Sequence, residues 1–157
     1  MHGHRTATRI AIGIAGVALV AIGSFAAAPA AVAGGQGQAS VWDGLYQEEQ
    51  ATRGKDEYDY NCGNCHISDL SGDSIKDVPP LAGTDFLVQW SGKTVKELLD
   101  YMSTTMPPDS RGSLGAKTYT DIAAYVLKSN RFPAGHAALG SDPDRLAKAV
   151  IEREASK

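Results

Sequence analysis

The stretch that most limits what this chain can fold into is NCGNCH, residues 61 to 66. It holds both cysteines, Cys62 and Cys65, with His66 directly after the second. A disulfide between them would enclose very few residues, and the chain-entropy stabilisation from a cross-link grows with the loop it closes. A redox-active dithiol belongs at a strand-to-helix junction in a βαβ unit, whereas the upstream residues YQEEQATRGKDEYDY are polar and helix-like, with no Val/Ile-rich strand. A zinc site needs further Cys or His ligands, and beyond the motif and the N-terminal leader only His136 remains. Covalent haem attachment uses every feature at once. Each thiol adds to one haem vinyl group, and the adjacent histidine becomes an axial ligand of the iron.

The N-terminus supports an extracytoplasmic setting for that chemistry. MHGHRTATR is basic, IAIGIAGVALVAIGSF is apolar, and small residues follow to Ala31, Val32 and Ala33, with no acidic residue before Asp43. These are the three parts of a secretory signal peptide, so residues 1–33 are expected to be a leader cleaved after Ala33. The alternative is an uncleaved anchor through residues 10–33, long enough to cross a bilayer, although its glycines and alanines make it weakly hydrophobic for a permanent span. The expected location is therefore the periplasm, with membrane association only if the leader is retained. Removing Arg5 and Arg9 leaves 13 of the 15 basic residues against 18 acidic ones, a formal charge of −5. An acidic domain lacks the electrostatic footprint of a nucleic-acid binder, and its surface favours a partner with a basic patch.

With His66 on one face of the iron, the candidates for the other are Met102, Met106 and His136. Thr94 and Glu97 form a capping box, followed by Val95, Leu98, Leu99 and Met102 at helical spacing, which makes Met102 a core residue. Met106 lies in TTMPPDSRGSLG, where Pro107 and Pro108 stiffen the backbone outside any helix, and it is the favoured sixth ligand. His136 follows Pro133 and Gly135 and reads as an exposed loop residue. A thioether opposite imidazole raises the reduction potential, and an iron filled on both faces passes an electron without transforming a substrate.

Around these ligands the sequence reads as helical, with strand signals nearly absent. Ser40 and Asp43 cap a short turn, and Gln47 to Tyr60 reads as a helix delivering Cys62. Gly54 within it costs about 1 kcal/mol relative to Ala, a cost that close passage of another helix offsets. That second helix is expected over Ala116 to Asn130, with Tyr119, Ile122, Ala123, Val126 and Leu127 as its apolar stripe and Lys117, Asp121 and Lys128 on its outer face. ISDLSGDSIKDVPPLAGTDF, with Gly, Pro and Asp at turn density, is expected to wrap the haem edge without regular structure; Asp69, Asp73 and Asp77 lack the spacing of a calcium loop. Trp90 is expected either to bond a haem propionate through its indole N–H or simply to pack. Ser141, Pro143 and RLAKAVIER suggest a last amphipathic helix or tail. The expected organisation is a leader at 1–33, a monohaem domain at 34–140 and the terminal segment at 141–157.

Gly54 to Tyr58 before CGNCH, then PPLAG (79–83), FLVQWSGKT (86–94), TMPPDSRGSL (105–114) and YTDIAAYVLKSNRFPAG (119–135), make the chain resemble the class I cytochromes c. More narrowly it resembles the monohaem subunits and domains associated with pyrroloquinoline-quinone (PQQ) alcohol dehydrogenases, over roughly Val41 to Gly135. The resemblance implies an all-α class I cytochrome c fold around one haem c, with first and last core helices crossing at Gly54 and Tyr125. It implies His66 and Met106 as axial ligands, and electron delivery toward a terminal oxidase or another cytochrome. Two departures stand out. Arg111 replaces the Pro of a frequent Pro-Gly pair and is a second candidate for a propionate contact, while Gly115 stands where a Ser usually caps the next helix. The expected function is a one-electron carrier or electron-transfer subunit of a dehydrogenase rather than an enzyme. The alternative is a haem enzyme or gas sensor with an open or labile sixth position.

Overall fold

A computed structural model describes residues 39–154 of the chain; the expected leader and anchor at 1–33 lie outside them. After a single 3-10 turn, Val41–Asp43, come helices α1 (Glu48–Asn61), α2 (Gly63–His66), α3 (Gly83–Trp90), α4 (Val95–Thr105), α5 (Ala116–Ser129) and α6 (Pro143–Lys148). No strand occurs among the described residues, only three isolated bridges. The fold is all-α, as expected.

Local chemistry sets several of these boundaries. Ser40 and Asp43 form a reciprocal capping box at the first turn, and Thr94 and Glu97 form another at α4; each box satisfies backbone N–H groups that a helix start leaves unpaired. At α5 the cap position is Gly115, which has no side chain to contribute.

The α1–α5 crossing organises the core. A Cβ on Gly54 would stand 1.8 Å from the Asp121 carbonyl oxygen and 3.1 Å from the Tyr125 Cβ, so only glycine lets the two backbones come this close. The rings of Tyr58 and Tyr125 meet at a tilt of 56° beside the crossing, centroids 5.3 Å apart. Ile122, Ala123, Val126 and Leu127 are buried as the α5 stripe requires. Asp121 departs from expectation. It is 2% exposed, and its carboxylate accepts from Arg53 Nε at 3.1 Å and from Lys117 Nζ. The close approach that Gly54 allows buries the flank of the stripe as well as its centre, and Arg53 of α1 supplies the counter-charge that a buried carboxylate needs.

Two further expectations change. The segment after the haem motif is irregular only to Ala82; from Gly83 it becomes α3, which buries Phe86 and Trp90. The terminal helix stops at Lys148, and the chain continues extended as a strap. Val150 N–H donates to Ala39 O at 3.0 Å and Val150 O accepts from Val41 N at 3.0 Å, while Ile151 and Ala149 bond to Lys93, Gly92 and Val95. Ala149 and Ile151 are fully buried. The strap thereby ties the first turn to the α3–α4 junction, and is core rather than tail.

Candidate haem site

The NCGNCH residues form one tight turn. Cys62 ends α1 by donating its N–H to Tyr58 O at 2.8 Å and begins α2 by accepting from Cys65 N at 3.1 Å and His66 N at 2.9 Å. Both cysteines are free thiols. Burial, and secondarily the charge of Cys65, push the Cys62 thiol up to about 11. A thioredoxin-type dithiol works through a thiolate of depressed pKa, so this environment is the opposite of what that alternative requires. A zinc site is not assembled either: no group of three His, Cys, Asp or Glu side chains stands together among the described residues.

His66 is 9% exposed, and its Nδ1 lies 2.9 Å from Pro79 O. A carbonyl only accepts, so Nδ1 carries a proton, which in the neutral imidazole leaves the lone pair on Nε2, the tautomer a metal-binding imidazole needs. The loop that brings Pro79 there folds back on itself. Gly72 N–H donates to His66 O at 3.0 Å, Asp73 and Val78 exchange two 2.9 Å hydrogen bonds, and Leu81 N–H donates to Leu70 O at 2.9 Å. Gly72 has φ +69°, and a Cβ on it would stand 2.4 Å from Val78 O. Asp69 and Asp73 accept from N–H groups within their own turns, and Asp73 also pairs with Lys76.

Met106 ends α4. It is half-buried, its N–H donates to Met102 O at 3.1 Å, and its carbonyl accepts from the Tyr119 hydroxyl at 2.7 Å and from Gly112 N at 3.4 Å. The following loop is closed by Ser110 N–H to Pro107 O and Ser113 N–H to Ser110 O. Met102 lies one turn earlier, half-buried and packed against the core cluster. Trp90 is buried with its ring between Phe86 (6.4 Å) and the edge of Tyr101 (5.6 Å), and Lys93 Nζ stands 4.7 Å from its centroid. Arg111 and His136 are exposed in their loops.

The NCGNCH turn therefore suits a covalently held haem: two free thiols on one turn with a histidine of fixed tautomer beside them. Three contributors escaped the sequence reading, namely the Pro79 carbonyl and the Tyr58 and Tyr119 hydroxyls. PPLAG drew attention only as a point of resemblance, and Tyr119 only as a member of an apolar stripe, because periodicity is blind to where a hydroxyl ends.

A family model, cytochrome c oxidase, cbb3-type, subunit III, matches residues 49–126. Among solved structures, the chain is similar to a sulfane dehydrogenase SoxCD from Paracoccus pantotrophus, at 20% identity and a TM-score of 0.48. That match covers 73% of this chain and 61% of the other, so the chain spans about three fifths of that relative's length. A likeness this distant transfers no activity. No curated protein matches the sequence. The helical fold, the NCGNCH turn and the family match agree that this chain carries a monohaem cytochrome c domain, with haem c bound covalently and iron at its centre.

Proposed function

We propose that the protein is a one-electron carrier, or the electron-transfer subunit of a dehydrogenase, working in the periplasm. Cys62 and Cys65 would hold haem c through thioether bonds, and His66 and Met106 would ligate its iron. Bound in this way, the group supplies a reversible one-electron iron couple. The chain's residues do the rest. Pro79 holds the His66 proton on Nδ1 and aims Nε2, the rigid loop after α4 presents the Met106 thioether, and Trp90 and Arg111 are the candidates for steadying the propionates. The observation that carries the reading is the 2.9 Å hydrogen bond from His66 Nδ1 to Pro79 O, because a solvent-facing loop histidine has no need of a fixed tautomer.

The leader at 1–33, cleaved after Ala33, would deliver the protein to the periplasm; kept, it would anchor the domain through residues 10–33. No described helix is long and apolar enough to cross a membrane. A periplasmic dehydrogenase of the PQQ alcohol-oxidising class is the proposed donor, and a terminal oxidase or another cytochrome the proposed acceptor. The mature charge of −5 favours basic docking patches on both, through the small transient interfaces of electron-transfer pairs.

The test is spectroscopic. The oxidised protein should show the near-infrared Met-to-iron band, and the reduced protein should fail to bind carbon monoxide. Rapid carbon monoxide binding by the native ferrous protein would instead place it with haem enzymes or gas sensors that keep an open sixth position.

A further inference from the structure

Two buried tyrosine hydroxyls reach across the core to backbone carbonyls at the two proposed ligands, one from each of the crossing helices. Tyr58 of α1, fully buried, donates to Ile67 O at 2.7 Å, one residue past His66. Tyr119 of α5, 4% exposed, donates to Met106 O at 2.7 Å. The hydrogen bonds are alike in length and burial, but what they hold differs. His66 is next to Cys65 and already confined by the covalent tether and by Pro79, so the Tyr58 bond chiefly steadies Ile67 at φ +61°, a conformation costly for a β-branched residue. Met106 has no covalent restraint. Its N–H is held within the last turn of α4, and its carbonyl has only Tyr119 and the longer 3.4 Å contact from Gly112.

We infer that Tyr119 is a positioning residue for the sixth ligand: its hydroxyl pins the Met106 backbone to α5 and so sets how readily the thioether gives way to a competing ligand. This rests on the assignment of Met106 as that ligand. The bond joins the Met106 loop to the helix that packs against α1 at Gly54, so the loop position is coupled to that close crossing.

The test uses the haem-loaded full chain with imidazole as competitor, followed by loss of the near-infrared band. Any foreign ligand must first displace the thioether, so weakening its attachment by some factor tightens apparent imidazole binding by the same factor. Removing one buried hydrogen bond to a carbonyl is worth roughly fivefold to tenfold. Tyr119→Phe keeps the ring and should bind imidazole that much more tightly than wild type. Tyr58→Phe, which removes an equally short bond and should lower unfolding stability comparably, should leave imidazole affinity within about twofold. Equal imidazole affinity for wild type and Tyr119→Phe would overturn the inference, as would an equal gain in Tyr58→Phe, which would make the effect one of general loosening. Met106→Ala separates the two levels. If the band vanishes in that variant the ligand assignment stands and Tyr119 alone is judged; if the wild-type band is absent or survives in Met106→Ala, the assignment fails and the brace with it.

Discussion

Replacing Gly54 with Ala should destabilise the protein, although a helical Gly→Ala exchange at an exposed site would stabilise it by about 1 kcal/mol. The added methyl would stand 1.8 Å from the carbonyl oxygen and 2.5 Å from the carbonyl carbon of Asp121. Comfortable contact lies near 3.5 Å, so α1 and α5 must separate by roughly 1.5 Å. Both obstructing atoms are backbone, and no side-chain rotamer relieves them. Overpacking of a tight core costs up to about 3 kcal/mol, occasionally more, and separation also loosens the Arg53–Asp121 bonds, worth about 1 kcal/mol. After subtracting the propensity gain, the net loss is about 3 kcal/mol. For a domain of this size that corresponds to a fall of about 12 °C in Tm. Thermal and denaturant unfolding of the haem-loaded protein would measure it. A Gly54→Ala variant as stable as wild type would refute the close-crossing argument.

Asp121 should give the protein an acid-sensitive limb. Burial pushes its carboxyl up, but hydrogen bonds from Arg53 and Lys117 outweigh that and hold it below the ordinary value. A depressed carboxyl lends stability that is complete above its unfolded pKa of about 3.9 and lost as pH falls through the folded value. The stability gap between wild type and Asp121→Asn, measured by urea unfolding, should therefore be constant from neutrality to about pH 5 and shrink below about pH 4; a pH-independent gap would contradict this. Ile151→Ala should cost about 3 kcal/mol, since Ile151 is fully buried in the strap; a loss under about 1 kcal/mol would return the segment to the status of a tail. Met106→Ala should lower the reduction potential and open the ferrous protein to carbon monoxide, whereas Met102→Ala should leave both unchanged and cost about 2 kcal/mol of stability; the reverse pattern would exchange their roles.

What was legible in the sequence was whatever rests on local rules. The boxes at Ser40–Asp43 and Thr94–Glu97, the helix leading into Cys62 and the α5 stripe each need only a few neighbouring residues to be recognised, and Gly54 pointed to a crossing because its helical cost demanded a compensation. What escaped depends on partners far along the chain. Asp121 looked like an outer-face charge because helical periodicity says nothing of Arg53, 68 residues away. The run RLAKAVIER has helical spacing, yet past Lys148 its backbone groups bond to residues 39–41 and 92–95, and those long-range bonds draw it into an extended strap. Helix α3 begins at Gly83 with no capping side chain of its own, its Gly83 N–H donating instead to Asn130 Oδ1 at 2.9 Å, so no local start signal marked it. In the candidate site, residue type and spacing singled out Cys62, Cys65, His66 and Met106 as candidates; the hydrogen bonds at two of them, from His66 Nδ1 to Pro79 O and from the Tyr119 hydroxyl to Met106 O, became visible only in three dimensions.

The covalent state of Cys62 and Cys65 decides most directly whether the chain carries haem c. Peptide mass spectrometry of the mature protein should find a single haem joined to the one peptide that contains both residues, with neither thiol available to an alkylating reagent before or after reduction. A peptide of unmodified mass, alkylated at both cysteines or joined in a Cys62–Cys65 disulfide, would contradict it.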